Sequence, residues 1–331
     1  MKAIVYTKYG SPDVLELKDV ETPTPLDDEV LVEVHAASIN AYDWHFLTAD
    51  VFLIRLMGGG LFRPKKKTLG ADIAGRVVAF GRNVTRFHVG DEVFGMAKGG
   101  SGGFAEYVCA RENSLELKPA NVSFEEASTA SMAALTALQG LRDKGQIQAG
   151  KKVLIYGASG GVGTFAIQIA KSFEVEVTAV CSSRNVGIAR SIGADHVIDY
   201  THKDFAKNGE LSDLILAVNG NLSISKYKRA LKPNGICVLV GGDGTSLFEL
   251  FVGMFQQWWI LRTENKRFVS FLANINQKDL ASMKELLASG TIRPVIDRRY
   301  SLSSTAEALR YFGEGHAQGK VVIVVEHPGK T

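Results

Sequence analysis

The chain has 331 residues, 46% of them apolar and 22% charged, with a net charge of +3. Two domains are expected at this length, and so small a charge offers no electrostatic case for nucleic acid or a membrane surface. Three cysteines (Cys109, Cys181 and Cys237) are too few for a disulfide framework and suit a reducing cytoplasm.

The opening "MKAIVYTKYG" alternates like a strand and lacks the apolar core of a secretion signal. Further strand-like runs follow to about residue 118: "EVLVEVHAAS", "DIAGRVVAFG", "DEVFGM" and "GFAEYVCA". Gly, Pro, Asp and Asn separate them, as in a compact β-rich domain. Within this region Lys65, Lys66 and Lys67 are expected to lie on a solvated loop. The preceding stretch is apolar and is expected to form a lid or pocket wall, with Phe52, Leu56, Met57 and Phe62 shaping an apolar substrate site, or else to pack on the β domain.

From Asn121 the texture changes. Ser123 and Glu126 form a Ser-x-x-Glu capping box, and an alanine-rich helix is expected to run on to "ALTALQGL". Apolar strands and helical segments then alternate through "KKVLIY", "EVTAVC", "HVIDY", "SDLILAV" and "GICVLVGG". Continuous apolar strands joined by helices predict a parallel sheet covered on both faces. The most apolar stretch, Leu247 to Leu261, contains Glu249, Gln256 and Gln257 and is too short to span a bilayer. It reads as core or subunit interface. The tail carries a helical "DLASMKELLAS" and a strand-like "KVVIVVE".

The stretch "KKVLIYGASGGVGTFAIQIA" is a strand, a glycine-rich turn and a helix, with Ala158 at the first glycine position of a dinucleotide motif. Ser159, Gly160, Gly161, Val162 and Gly163 let backbone amides approach a phosphate at the positive end of the helix. Ala158 is tolerable if its φ is negative. Val162, Phe165, Ala166, Ile169, Ala170 and Phe173 should share the sheet-facing side of this helix. NAD binding wants a carboxylate at the end of the next strand. The chain has "CSSRN" instead, so Ser182, Ser183 and Arg184, with Tyr200 after the following strand, point to the 2′-phosphate of NADPH.

The ordered set "SINAYDW", "LGADIAGRVVAFG", "GDEVFG", "GGFAEYV", "ASGGVG", "GADHVIDY" and "HAQGKVVIVV" resembles the medium-chain dehydrogenase/reductase superfamily, in its quinone oxidoreductase-like branch. The resemblance spans essentially the whole chain. It implies an α/β protein with a GroES-like catalytic domain built from both chain ends, a Rossmann domain inserted between them, a cleft at their junction, and a homodimer. The expected segments are 1–120, 121–266 and 267–331. Zinc-dependent members carry a cysteine where this chain has Asn40, and His-Glu where it has Ala71-Asp72. "MAKGGSGGF" has none of the cysteines of their structural lobe. No metal is therefore expected.

Without a Lewis acid, a conjugated carbonyl or quinone is the better hydride acceptor, because the charge spreads into an enolate that hydrogen bonds can hold. The resemblance makes Asn40 the candidate donor to the nicotinamide ribose or the substrate oxygen. Thr136, Gly241 and Lys320 complete the expected cofactor set. Some relatives place a tyrosine proton donor where this chain has Val51 and Phe52, so Tyr42, His45 or water takes that role. Two other functions stay open: an NADP-dependent alcohol dehydrogenase, and a non-enzymatic NADPH sensor or RNA-binding protein.

Overall fold

A computed structural model describes residues 1–50, 55, 60–207, 209–218, 222–241 and 265–327. The apolar stretch 247–261, together with Val51, Phe52, Leu56 and Met57, lies outside the described residues. The chain forms two compact units, one of Met1–Leu135 with Ile275–Thr331 and the other of Thr136–Asn274.

The first unit opens with an antiparallel pair, β1 (Lys2–Val5) and β2 (Glu16–Asp19). Next come β3 (Glu29–Ser38), α1 (Ala41–Thr48), β4 (Asp72–Phe80), β5 (Glu92–Met96), β6 (Tyr107–Arg111) and β7 (Leu115–Leu117). The strand β3 is almost wholly buried, as its Val-Leu-Ala content requires. One of its edges pairs with β4; the other pairs with β6 along residues 29–33. Tyr6, Phe87 and Phe104 fill the core beside it. Phe62 does not join this packing and is 88% exposed.

The capping box at Ser123 and Glu126 forms, but the helix it starts, α2 (Phe124–Ser128), stops after five residues. A second helix, α3 (Met132–Gln139), then begins and passes into a π-helical turn, Gly140–Lys144. The expected single helix is therefore broken. The Ser128 and Thr129 hydroxyls bond back to the carbonyls of Glu125 and Glu126, which competes with helix continuation. The buried Asp72 carboxylate accepts from the Met132 amide and so caps the restart. Because α2 packs on β3 and β4, the division between the two compact units falls inside α3, at 135/136.

The second unit contains β8 (Lys152–Tyr156), α4 (Gly161–Lys171), β9 (Glu176–Cys181), α5 (Val186–Ser191), β10 (His196–Asp199), β11 (Ser212–Val218), α6 (Ile224–Ala230), β12 (Leu231–Val240) and β13 (Arg267–Ser270). The six described strands are all parallel and lie in the order β10-β9-β8-β11-β12-β13. That is the 3-2-1-4-5-6 order of a dinucleotide-binding sheet, which reverses between β8 and β11. The helix α4 is buried around its whole circumference from Gly163 to Ala170, not on one face. Thr164 and Gln168 are accommodated inside because each donates to a carbonyl one turn back, of Gly161 and Thr164 respectively.

The chain returns to the first unit through α7 (Gln277–Ala288), β14 (Ile296–Ser301), α8 (Thr305–Gly313) and β15 (Lys320–Val324). Asn276 caps α7 by accepting from the Asp279 amide. The strand β15 pairs with residues 36–38 of β3, completing a sheet in the order β14-β15-β3-β4-β5-β7. A residue from the far end of the chain is thereby set beside α1.

Candidate functional site

In the second unit, β8 runs straight into the turn at the switch point. Gly157 has a φ of +73° and carries the left-handed step, so Ala158 keeps a negative φ and is fully buried. A Cβ on Gly157 would meet the Val218 carbonyl at 2.4 Å, and one on Gly163 would meet the Gly157 carbonyl at 2.2 Å. Those two glycines are needed for close packing of strand, turn and helix. Gly160 differs: it is the N-cap of α4, and a Cβ there would meet nothing nearer than 3.7 Å. The space over Gly160 lies at the positive end of an eleven-residue helix, where an anion is favoured.

Asn185 is a partner that the sequence reading missed. Buried behind the turn, it donates to Ser159 Oγ at 2.9 Å and to Ser182 Oγ at 3.1 Å, tying the turn to the loop after β9. Its own Oδ1 is buried and has no hydrogen-bond partner among the described residues. A buried unpaired carbonyl is costly, and a hydroxyl of a bound ligand would satisfy it. Turn, open Gly160 and orphaned acceptor together fit a dinucleotide.

Arg184 and Ser183 are exposed in the loop after β9, and Tyr200 is about half exposed, with its ring 6.5 Å from that of Tyr156. The end of β9 itself carries no acid, but one stands next to it. Parallel pairing sets Asp199 opposite Cys181, directly beside the end of β9. Its carboxylate accepts from the Thr201 amide at 2.9 Å and from Thr201 Oγ1 at 2.6 Å, while Ser183 Oγ lies 3.0 Å from Thr201 Oγ1. Hydrogen bonds from Ser183 and Thr201 hold Asp199 below the usual carboxylate range. Gly241 follows β12 with a φ of +68°, and Thr136 is half-buried in α3.

In the first unit, Asn40 and Lys320 meet across 280 residues of sequence. The Lys320 ammonium donates to Asn40 Oδ1 at 2.5 Å and stands 3.9 Å from Asp72 Oδ2. Asn40 Nδ2 donates to Asp72 Oδ2 at 3.0 Å and to the Ser38 carbonyl at 3.3 Å. Both amide hydrogens of Asn40 are thus committed, and what remains for a ligand is a lone pair on Oδ1. The expected donor is an acceptor in this arrangement, because a buried ammonium and a buried carboxylate fix the amide's orientation. Asp43 closes the cluster, accepting from the amides of Asn40 and Gly70 at 2.9 Å each.

Asp43 and Asp72 are fully buried and Lys320 nearly so. Burial pushes the Asp43 carboxyl up to about 7, against the two amides that favour its anion. Burial likewise raises Asp72, opposed by Lys320, and lowers Lys320, opposed by Asp72 and Asp43. Two carboxyls and one ammonium are neutral with one carboxyl protonated, which is the state a low-dielectric interior favours.

Tyr42 and His45 both lie on α1. His45 Nδ1 is 2.9 Å from Asp50 Oδ1, just beyond the left-handed Ala49 that ends the helix. Tyr42 Oη donates to the Gly99 carbonyl at 3.3 Å and accepts from Lys66 Nζ at 2.5 Å. Lys65 and Lys67 are exposed, as expected of a solvated loop, but Lys66 is half-buried against Tyr42 and Phe46. Among the described residues no group of three His, Cys, Asp or Glu side chains is arranged to hold a metal ion. No helix among them is long and apolar enough to cross a membrane.

Comparison with known proteins adds the following. The alcohol dehydrogenase GroES-like domain model matches residues 26–120, and a zinc-binding dehydrogenase model matches residues 192–323. A chloroplastic quinone-oxidoreductase QR1 of Triphysaria versicolor is 34% identical, over 98% of each chain. A 2-methylene-furan-3-one reductase of Solanum lycopersicum is also 34% identical, over 99% of this chain and 79% of that one. The solved structure of the quinone oxidoreductase from Coxiella burnetii superposes with a TM-score of 0.87 at 31% identity, over 98% of this chain and 99% of that one.

Proposed function

Starting from a chain that belongs to the quinone oxidoreductase-like branch of the medium-chain dehydrogenase/reductase superfamily, and so is an oxidoreductase, we propose that it reduces quinones or α,β-unsaturated carbonyl compounds with NADPH and without zinc. The observation that carries this reading is the turn at the switch point: a left-handed Gly157, an open Gly160 at the start of a buried helix, and an unpaired Asn185 carbonyl beside them. A nicotinamide cofactor held there would supply a hydride. The amides of residues 160–163 would hold its pyrophosphate.

The choice of NADPH rests on Ser182, Ser183 and Arg184, whose hydroxyls and guanidinium suit a 2′-phosphate. Asp199 works against it by placing negative charge next to Ser183. We assign Arg184 the deciding role, since its guanidinium supplies the positive charge that a 2′-phosphate needs beside Asp199. The second relative's name describes a substrate with an exocyclic double bond conjugated to a ketone, the electrophile that metal-free chemistry favours.

Zinc independence rests on the residues around Asn40. Where zinc-dependent relatives place ligands, this chain has an amide, Ala71 and a carboxylate already facing the Lys320 ammonium. A divalent cation would have to displace or neutralise that ammonium. Dimerisation and a cytoplasmic location are part of the same proposal. The test is product analysis with NADPH carrying deuterium at C4. Deuterium at the β-carbon of an enone supports the reading, whereas deuterium on the carbonyl carbon of an alcohol product favours an alcohol dehydrogenase.

A further inference from the structure

Resting on the reductase reading, we infer that Lys66 positions Tyr42 and steadies its oxygen, making Tyr42 the residue that delivers the proton. The geometry that points there is local. Lys66 Nζ lies 2.5 Å from both Tyr42 Oη and the Gly99 carbonyl, which fixes the ammonium from two sides. It sits 5.0 Å from the Tyr42 ring centroid and 4.5 Å from that of Phe46, and the two rings are 4.4 Å apart. Gly100, with a φ of +69°, lies against the hydroxyl so closely that a Cβ there would fall 2.9 Å from Tyr42 Oη. A phenol, an ammonium, a carbonyl and a glycine are thus fitted together within a few ångströms, on a lysine whose two neighbours point to solvent.

The chemistry follows from the charges. Hydride addition to an enone leaves an enolate, and addition to a quinone leaves a quinol anion. The Tyr42 Oη–H bond breaks, a C–H or O–H bond forms on the substrate anion, and the electron pair stays on Tyr42 oxygen. Solvent returns the proton. A phenolate at Tyr42 would otherwise be strongly disfavoured, since burial and the neighbouring Asp43 both oppose negative charge there. Among the described groups facing it, Lys66 is the cation that offsets them. His45 instead faces a carboxylate, with Nδ1 2.9 Å from Asp50 Oδ1.

The experiment measures NADPH oxidation by an enone across pH for wild type, Tyr42→Phe, Lys66→Met and Lys66→Arg, with thermal melts and spectroscopic titration of the Tyr42 phenol (wild type minus Tyr42→Phe). The expected results are a kcat loss of about 10²-fold or more in Tyr42→Phe and Lys66→Met, an NADPH KM within about twofold of wild type in both, and substantial rescue in Lys66→Arg. The phenol should titrate at higher pH in Lys66→Met. Wild-type kcat in Lys66→Met overturns the inference, as does a loss shared by Lys66→Arg and matched by lower melting temperatures, which marks a structural role. An unmoved phenol titration overturns the coupling even where turnover changes. Absence of wild-type turnover with every enone and quinone overturns the reductase reading, and the proton role with it.

Discussion

The glycines of the turn separate a packing role from a binding role, and two alanine substitutions read them apart. In Gly163→Ala the new methyl carbon meets the Gly157 carbonyl at 2.2 Å and Ala158 backbone atoms at 2.7 Å. Both distances are far inside van der Waals contact, so α4 must draw back from the turn. Overpacking of this kind costs about 1–3 kcal/mol. In Gly160→Ala the backbone, at φ −80° and ψ 177°, suits any residue and the methyl meets nothing within 3.7 Å. Exchange of glycine for alanine at an N-cap costs less than about 1 kcal/mol. Yet that methyl fills the space where an anion would approach the amides. Loss of one hydrogen bond to a charged group, about 1.5–3 kcal/mol, corresponds to a roughly ten- to hundredfold weaker Kd. Fluorescence titration with NADPH and calorimetric melts measure the two effects. Wild-type NADPH binding by Gly160→Ala would contradict an anion site over Gly160, and a wild-type melt of Gly163→Ala would contradict its packing role.

Arg184→Ala should weaken NADPH binding at least tenfold while leaving NADH within about twofold; equal losses in two parallel titrations would remove Arg184 from the phosphate site. Asp199→Asn should shift the NADPH to NADH affinity ratio toward NADPH, because it removes a charge that repels the 2′-phosphate; an unchanged ratio would show that the carboxylate is too far away to matter. Lys320→Met strands two buried carboxyls without their ammonium and should cost about 3–5 kcal/mol in denaturant unfolding; a loss under 1 kcal/mol would contradict the cluster's coupling. The Asp43 carboxyl, pushed up to about 7 by burial, binds its proton more tightly folded than unfolded. Stability from this group is therefore present at low pH and declines as pH rises from about 4 through 7, by roughly 4 kcal/mol if Asp43 acted alone. Asp72 is shifted in the same sense, and Asp43→Asn should flatten the profile measured by chemical denaturation.

Legibility in the sequence followed the range of the interaction. The strands β3, β4, β8, β9 and β11 were legible because a buried strand writes its environment into a local run of Val, Ile, Leu and Ala. The turn was legible because only glycine tolerates the approach distances at 157 and 163. The alanine-rich segment after Ser123 misled for the same local reason: its propensity favours one helix, while the break at Ser128 and Thr129 is fixed by Asp72, 60 residues before Met132, whose amide it caps at the restart. The candidate site divides along the same line. Ser159 and Ser182 lay in visible motifs, and Asn185, one residue past Arg184, sat in the quoted stretch without any signal that it faces inward. Asp199 comes beside β9 only through parallel register, and Lys66 looks like any basic loop until Tyr42 is placed against it. The commitment of both Asn40 amide hydrogens depends on Lys320, which only the return of β15 to β3 brings near.

Metal-free reduction of a conjugated acceptor is tested by the initial rate of NADPH oxidation by protein stripped of divalent metal and assayed in chelator. A conjugated enone or a quinone should be turned over at the rate of untreated protein, while a simple alcohol offered with NADP⁺ gives no reduction. Loss of enone and quinone turnover on metal removal, with recovery on adding zinc, would contradict the account; so would alcohol oxidation in protein that leaves every conjugated acceptor untouched.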